Sequence, residues 1–421
     1  VGFVPLFIAA TLLLLSESNL LDWKRTGRPV RIGLALAAGA TAGIGGYRNP
    51  AYRIFLPPFL LALLIVAWPD WCRHLRTREG AMAMAAFTVA LAVTFGPLVW
   101  SHATDPGMMK RGHEKEGSSW VWAEGDGPAR KVYKALSKYP GHFGPDFLFL
   151  RGDHYSRVSP PDSGQLHWYV LPLLLAGAGV TIWRARSSLA ARVLAAWVLL
   201  YPVGDLIVSR SSDDIWGLHA LRSSPGIGAL AILAATGAVA VGAWLLQRRR
   251  AVALGAAGVL ALAVVAGNVR YYGTYFGEYN DRKIIQQQFH ADIVEACEWL
   301  KPRVAPYDAV FWAVTETNQP YMVTLVAMDW DPTRWFREER IFITSDSVYG
   351  LDFCGSYGKM HFMYPEYYQK KQQELQANGR ADRVLFIVRP QNVPRSGPIQ
   401  ILHQIARPGG EVALVLFEAR L

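Results

Sequence analysis

The chain has 421 residues, 52% of them hydrophobic and only 18% charged, and a net charge of +10. That apolar content excludes a disordered chain, and 3 cysteines exclude a disulfide scaffold. The Lys and Arg of residues 1–269 fall mainly in short connections between apolar runs, so the basic balance reflects membrane topology and no nucleic-acid partner is expected.

Crossing the hydrocarbon core takes about 20 mainly apolar residues, and about eight segments meet that test. They lie near residues 1–21, 30–47, 54–70, 81–100, 167–184, 189–208, 225–246 and 251–269. Val1 falls inside the first run, with no basic leader or cleavage site after it, which is expected of a fragment lacking its N-terminus. Lys24, Arg25, Arg28 and Arg31, then Arg73, Arg76 and Arg78, then Arg184, Arg186 and Arg192, then Arg248, Arg249 and Arg250 occupy alternate connections, which are therefore expected to be cytoplasmic. Connections 47–53, 101–166 and 209–224 then face outward, with everything after Val269. With an even number of crossings both ends lie outside, so a cytoplasmic start requires an odd number of missing helices.

The outer loop 101–166 carries Val132, Tyr133, Leu136 and Tyr139 spaced for one face of an amphipathic helix over 129–139. It is read either as lying on the membrane, with Lys131, Lys134 and Lys138 at anionic headgroups, or as covering the bundle. After Arg270 the pattern changes to that of a soluble protein. Strands are expected at 309–314, 341–343, 384–388 and 412–417, and helices at 291–300, 321–328, 365–377 and 399–406. The alternation points to an α/β domain over 270–421 with a largely parallel sheet. No phosphate-binding fingerprint follows any strand. The fold class is thus a polytopic α-helical membrane protein with a C-terminal extracytoplasmic α/β domain. Of the cysteines, only Cys297 and Cys354 are placed to pair, because Cys72 lies in a basic loop.

Polar chemistry gathers in three outward clusters. Tyr47-Arg48-Asn49-Pro50-Ala51-Tyr52-Arg53 sets two Arg and two Tyr around a proline turn. Arg binds phosphate bidentately and Tyr suits the headgroup level, although snorkelling side chains in an aromatic belt look the same. Phe147-Leu148-Phe149-Leu150-Arg151-Gly152-Asp153-His154, with Gly164-Gln165-Leu166-His167, brings together a base, an acid and an imidazole, suited to acid/base work or to a capped turn. Asp213 and Asp214, read as a solvated loop or N-cap, precede Gly217-Leu218-His219-Ala220-Leu221-Arg222, where His219 and Arg222 share a helical face. His102, Asp105, His113, Glu114 and Glu116 match no zinc spacing, so neither a metal nor another cofactor is expected.

Together, segments 45–53, 147–154 with 164–167, and 217–222 resemble the GT-C superfold of lipid-dependent glycosyltransferases, in particular bacterial relatives of the protein O-mannosyltransferases and the lipid A aminoarabinose transferases. The resemblance implies an inner-membrane enzyme that moves a sugar from a polyprenyl-phosphate donor to an extracytoplasmic lipid, glycan or protein, with inversion and without a metal. It implies a catalytic base in a first outer loop that this chain lacks, so no catalytic residue is assigned. By the same resemblance Tyr47, Arg53, Arg151, Asp153, His154, His219 and Arg222 shape the cavity and hold the donor phosphate. A transporter or flippase for a lipid-linked saccharide is the alternative. It predicts ionisable residues near the midplane or a second, inward-facing cluster, and the sequence offers neither.

Overall fold

The computed structural model describes residues 4–21, 29–105, 127–153, 159–160, 162–206, 218–313, 320–338, 340–343, 353–363, 373–374, 377, 383–395 and 398–420. The chain divides into two compact units, Val1–Gly273 and Thr274–Leu421.

The first unit is helical, and its helices starting at Pro50, Arg78 and Leu189 begin at side-chain caps. They are α1 (Val4–Glu17), α2 (Ile32–Gly45), α3 (Pro50–Val66), α4 (Trp68–Leu75), α5 (Arg78–Thr104) and α6 (Pro128–Lys138). After them come α7 (Leu171–Arg184), α8 (Leu189–Leu200), α9 (Val203–Leu206), α10 (Gly226–Arg248) and α11 (Arg250–Phe276). Asn49 accepts the Ala51 amide at 2.8 Å ahead of Pro50, and Thr77 accepts the Gly80 amide at 3.2 Å, so orphan donors are satisfied at the starts of α3 and α5. α3 and α4 meet at a 77° bend, and Pro69, which cannot donate to the preceding turn, follows the break.

Four described helical stretches are long and apolar enough to cross a membrane: α5, Leu189–Leu206, α10 and α11. The bent pair α3–α4 makes a fifth if it is one span, and Val4–Glu17, Ile32–Gly45 and Trp168–Arg184 are apolar but shorter, at 10–17 residues. Helix length thus supports four or five crossings where the sequence pattern counts about eight. The outer surface is apolar as well: Leu175, Val239 and Leu262 are 65%, 72% and 71% exposed, and α11 has no buried residue. Such a surface is stable only where hydrocarbon replaces water, which makes this an integral membrane protein.

Small residues let the helix backbones touch. A Cβ on Gly177 would lie 1.9 Å from the Leu233 carbonyl oxygen, and one on Gly237 would lie 1.9 Å from that of Leu173, so α7 and α10 cross through a reciprocal glycine pair. Gly39 and Gly43 bring α2 against Phe87 and Thr94 of α5 in the same way. Between these crossings Tyr52, Phe55, Trp197 and Tyr201 are fully buried, and the Trp197 indole donates to the Pro225 carbonyl at 2.7 Å.

The second unit contains α12 (Lys283–Gln288), α13 (Ala291–Leu300), α14 (Pro320–Ala327) and α15 (Pro332–Arg337). Its strands are β1 (Ala309–Ala313), β2 (Arg340–Ile343), β3 (Phe353–Tyr357), β4 (Met360–Met363), β5 (Arg383–Val388), β6 (Ile399–Ala406) and β7 (Val412–Arg420). They form one sheet in the order β2-β3-β4-β1-β5-β7-β6. The expected largely parallel sheet is corrected: only β1 runs parallel to its neighbours, β4 and β5, and the remaining ladders are antiparallel. The helix expected at 399–406 is also corrected, because that segment is the edge strand β6. Pro408-Gly409-Gly410 turns it into β7, with Gly409 and Gly410 at φ +99° and +85°, and hairpin pairing overrides an apolar spacing that fits either period. The helix expected at 365–377 falls almost entirely outside the described residues. Cys297 is a free, fully buried thiol, and burial pushes it up to about 12.

A buried ion cluster fixes α13 on this sheet. Asp292 accepts Arg389 at 2.6 Å and Arg407 at 3.1 Å, and all three side chains are buried. Two predictions follow from these contacts. Gly237→Leu forces α7 and α10 apart and lowers the thermal midpoint of the purified protein in detergent by the equivalent of roughly 1–3 kcal/mol, whereas Gly242→Leu, with open space around it, leaves the midpoint unchanged. Asp292→Ala strands two guanidinium groups and costs about 3–5 kcal/mol, read as a lower denaturant midpoint for the loss of sheet signal.

Candidate functional site

The polar chemistry of the first unit collects at one end of the bundle around Asp205, which is 0% exposed in the short helix α9. Its Oδ2 meets Lys138 Nζ at 2.9 Å and His142 Nε2 at 3.1 Å, and accepts the His219 amide at 3.0 Å. Lys138 Nζ also donates to the Asp205 carbonyl at 3.1 Å. Oδ1 has no hydrogen-bond partner among the described residues, and the Arg222 guanidinium stands 3.8 Å from it.

The local sequence explains why these groups meet. Pro140-Gly141 ends α6 in a 3₁₀ turn, Tyr139–Phe143, which folds His142 back so that its Nδ1 lies 3.3 Å from the Lys138 carbonyl. Both ring nitrogens therefore face oxygen atoms. The Tyr201 hydroxyl donates to the His142 carbonyl at 2.6 Å and locks the turn onto the end of α8. On the other side a Cβ on Gly204 would lie 2.9 Å from Ala51 and from the Arg222 carbonyl, so glycine is needed where α3, α9 and the 219–222 loop converge.

The residues expected from sequence are divided by this arrangement. Arg222 and His219 lie directly at Asp205, the latter through its backbone. Asp153 is buried beside them, accepting the Ala220 amide at 2.7 Å and lying 3.4 Å from His219 Nδ1. Gly152, at φ +71°, makes the turn into it, and the Leu166 amide donates to the Leu148 carbonyl at 2.7 Å, pairing the two halves of the second cluster. Arg53 sits one turn into α3, donating from Nε to the Gly46 carbonyl at 2.7 Å and meeting His102 Nε2 at 3.0 Å. Since His102 Nδ1 faces the Leu98 carbonyl at 2.8 Å, that nitrogen carries the proton and Nε2 accepts from Arg53. Asn49 Nδ2 reaches the Leu221 carbonyl at 3.4 Å and ties the first cluster to the third.

Arg151 goes elsewhere, pairing with Asp146 at 2.8 Å with its side chain 68% exposed, and Tyr47 is exposed on the turn between α2 and α3. His154, Asp213, Asp214, His113, Glu114 and Glu116 lie outside the described residues. Among the described residues no group of three His, Cys, Asp or Glu side chains is placed to hold a metal ion.

Sequence reasoning missed Asp205, Lys138 and His142 as a unit. The available signal was the single acid in the apolar run 189–208, since a carboxylate in such a run needs partners from elsewhere. Lys138 was read only as a headgroup contact. Around Asp205 the structure places Lys138, Arg222 and a histidine, with the Asp153 carboxylate beside them, and Arg222, with its side chain 26% exposed, is the cation of the cluster that reaches the surface. Such a site suits a phosphate or a carboxylate.

No family model matches the chain, and no curated protein matches it in sequence. Among solved structures it is similar to the Archaeoglobus fulgidus oligosaccharyltransferase, crystallised tethered by a disulfide to an acceptor peptide containing the NVT sequon. The TM-score is 0.36 and the identity 13%, over 91% of this chain and 50% of that one, so the chain spans half the length of that protein.

If Lys138 is held by Asp205, Lys138→Met should destabilise the first unit by about 3–5 kcal/mol, the usual cost of stranding a buried charge. In an Asp205→Asn background the same change should cost under about 1 kcal/mol, and thermal unfolding of the four proteins in detergent measures that coupling.

Proposed function

We propose that this chain is a membrane glycosyltransferase that moves a sugar from a polyprenyl-phosphate donor to an extracytoplasmic acceptor. The observation that carries the reading is the convergence of Lys138, Arg222 and Asp205, with Arg222 partly exposed, on the polar end of an apolar bundle. A lipid-linked phosphate needs that combination of a lipid-accessible scaffold and interfacial cations, and Arg suits it because its fork matches two phosphate oxygens. The resemblance of segments 45–53, 147–154 and 217–222 to GT-C enzymes points the same way.

The basic connections support the assignment of sides. α3 starts at the polar end and runs to the bend before Arg73 and Arg76, and α5 returns from Arg78 to His102. α10 starts beside Trp197 and Tyr201 at the polar end and finishes at Arg248. These basic clusters therefore lie at the end away from Asp205, which supports reading the Asp205 end as extracytoplasmic by the positive-inside rule. In this reading the bundle is residues 1–269, and residues 270–421 form an outer domain. Arg222, Arg53 and the Asp153–His219 pair bind the donor.

Membranes containing the protein, given radiolabelled polyprenyl-phosphate sugars, should transfer label to an acceptor. Arg222→Ala should abolish transfer while leaving the thermal midpoint within about 1 kcal/mol of wild type, as expected for a partly exposed side chain. Movement of the lipid-linked saccharide across the bilayer with no transfer from any donor would instead favour a transporter.

A further inference from the structure

Helix α6 is built inside out for a helix bathed in water. Lys131, Lys134 and Lys138 recur every three to four residues along its inner stripe, the first two half-buried and the third fully buried against Asp205. Val132, Tyr133 and Leu136 lie on the opposite face and are 56%, 66% and 63% exposed. Water would favour the reverse, with lysines outward and the apolar stripe against the bundle.

We infer that α6 is seated in the lipid headgroup layer, with Val132, Tyr133 and Leu136 dipping into the acyl boundary of the bilayer that the bundle crosses. The level at which the helix is pinned places it there. The hydroxyl of Tyr139, the residue after α6, donates to the Leu199 carbonyl at 2.8 Å, and Leu199 is 57% exposed on the last turn of α8, about two turns before the end of the membrane-crossing stretch Leu189–Leu206. The apolar face of α6 thus adjoins the exposed apolar face of a span within the last turns of that span. Charge is compatible with the same occupant: besides the buried Lys138 the helix carries Arg130, Lys131 and Lys134 and no Asp or Glu, so nothing on it repels anionic headgroups. Because Lys138 is both the end of this helix and a partner of Asp205, the seating of α6 in lipid sets the position of the Asp205 cluster.

The test is independent of any transfer activity. An environment-sensitive fluorophore is placed on Leu136→Cys in a Cys72→Ser, Cys354→Ser background, where Cys297 stays protected by burial. The whole chain is then put in nanodiscs of phosphatidylethanolamine and phosphatidylglycerol, with or without spin-labelled lipid. Leu262→Cys on α11 serves as the lipid-exposed reference and Gln400→Cys on β6 as the water-exposed one. The Leu136 probe should emit at short wavelength and lose most of its intensity to the spin-labelled lipid, as the Leu262 probe does. Emission like that of Gln400 overturns the inference, and so does a shielded probe that the lipid does not quench, since protein would then cover the face. Val132→Cys gives the same readout from an independent variant should the Leu136 protein fail to fold.

Discussion

A carboxylate removed from water at the end of an apolar bundle must recover from the protein what water supplied, and Asp205 does so from four directions. The ammonium of Lys138, the imidazole of His142, the amide of His219 and, further off, the guanidinium of Arg222 surround it. Isolated, such a charge would cost several kcal/mol, so each partner is held as firmly as the carboxylate is buried. Three stretches distant in sequence are thereby pinned to one point: the end of α6 with its 3₁₀ turn, the exit of α8, and the loop before α10. Small residues complete the convergence, because only Gly204 allows α9 to sit between Ala51 and the Arg222 carbonyl.

The same carboxylate explains the orientation of α6. A helix with one apolar and one basic stripe can turn either toward the bundle, and in water the apolar stripe would turn inward. Here Lys138 gains an ion pair inside while Val132, Tyr133 and Leu136 lose nothing by facing outward, provided the outside is lipid. The bilayer and the buried acid act together, and neither alone fixes the helix. Aromatic packing reinforces the turn, with Phe143 edge-on to Tyr201 at 5.3 Å and Phe147 edge-on to His142 at 5.6 Å.

Much of this architecture was legible where a pattern has one physical reading. Apolar runs of the length of α5, α10 and α11 are long enough to cross a bilayer, and 291–300 forms the helix its spacing calls for. Segments with two readings were less transparent. Residues 399–406 satisfy helical and strand periods about equally, and the hairpin at Gly409 and Gly410 decides between them. β3 and β4 were missed because Phe353–Tyr357 and Met360–Met363 are short and mixed in polarity, and tertiary pairing with β2 and β1 makes them strands. In the site, Arg222 and Asp153 stood out as polar residues in outward loops. Asp205 did not, because it reads as a lone acid at the end of a span and its partners, Lys138 and His142, lie more than sixty residues away. Long-range ion pairing leaves no local signature.

The second unit provides a contrast that separates a clamp from a site. There too one carboxylate holds two cations, Asp292 with Arg389 and Arg407, and the leftover polar atom is Arg407 Nε. Every member of that cluster is shut in: the three side chains are 5%, 9% and 7% exposed, and Glu411, itself paired with Lys283, approaches Arg407 from outside at 4.0 Å. Lys283 holds the Glu411 carboxyl below its ordinary range, so the outer ring stays ionised and the charge is closed off. At Asp205 the inner partners are equally buried, yet Arg222 keeps 26% of its side chain exposed and lies too far from Oδ1 for a hydrogen bond. A cation of the first cluster therefore reaches the surface, and none of the second does. An anion at Arg222 would gain a guanidinium already oriented by the carboxylate behind it, whereas an anion approaching Arg407 would first have to displace Glu411.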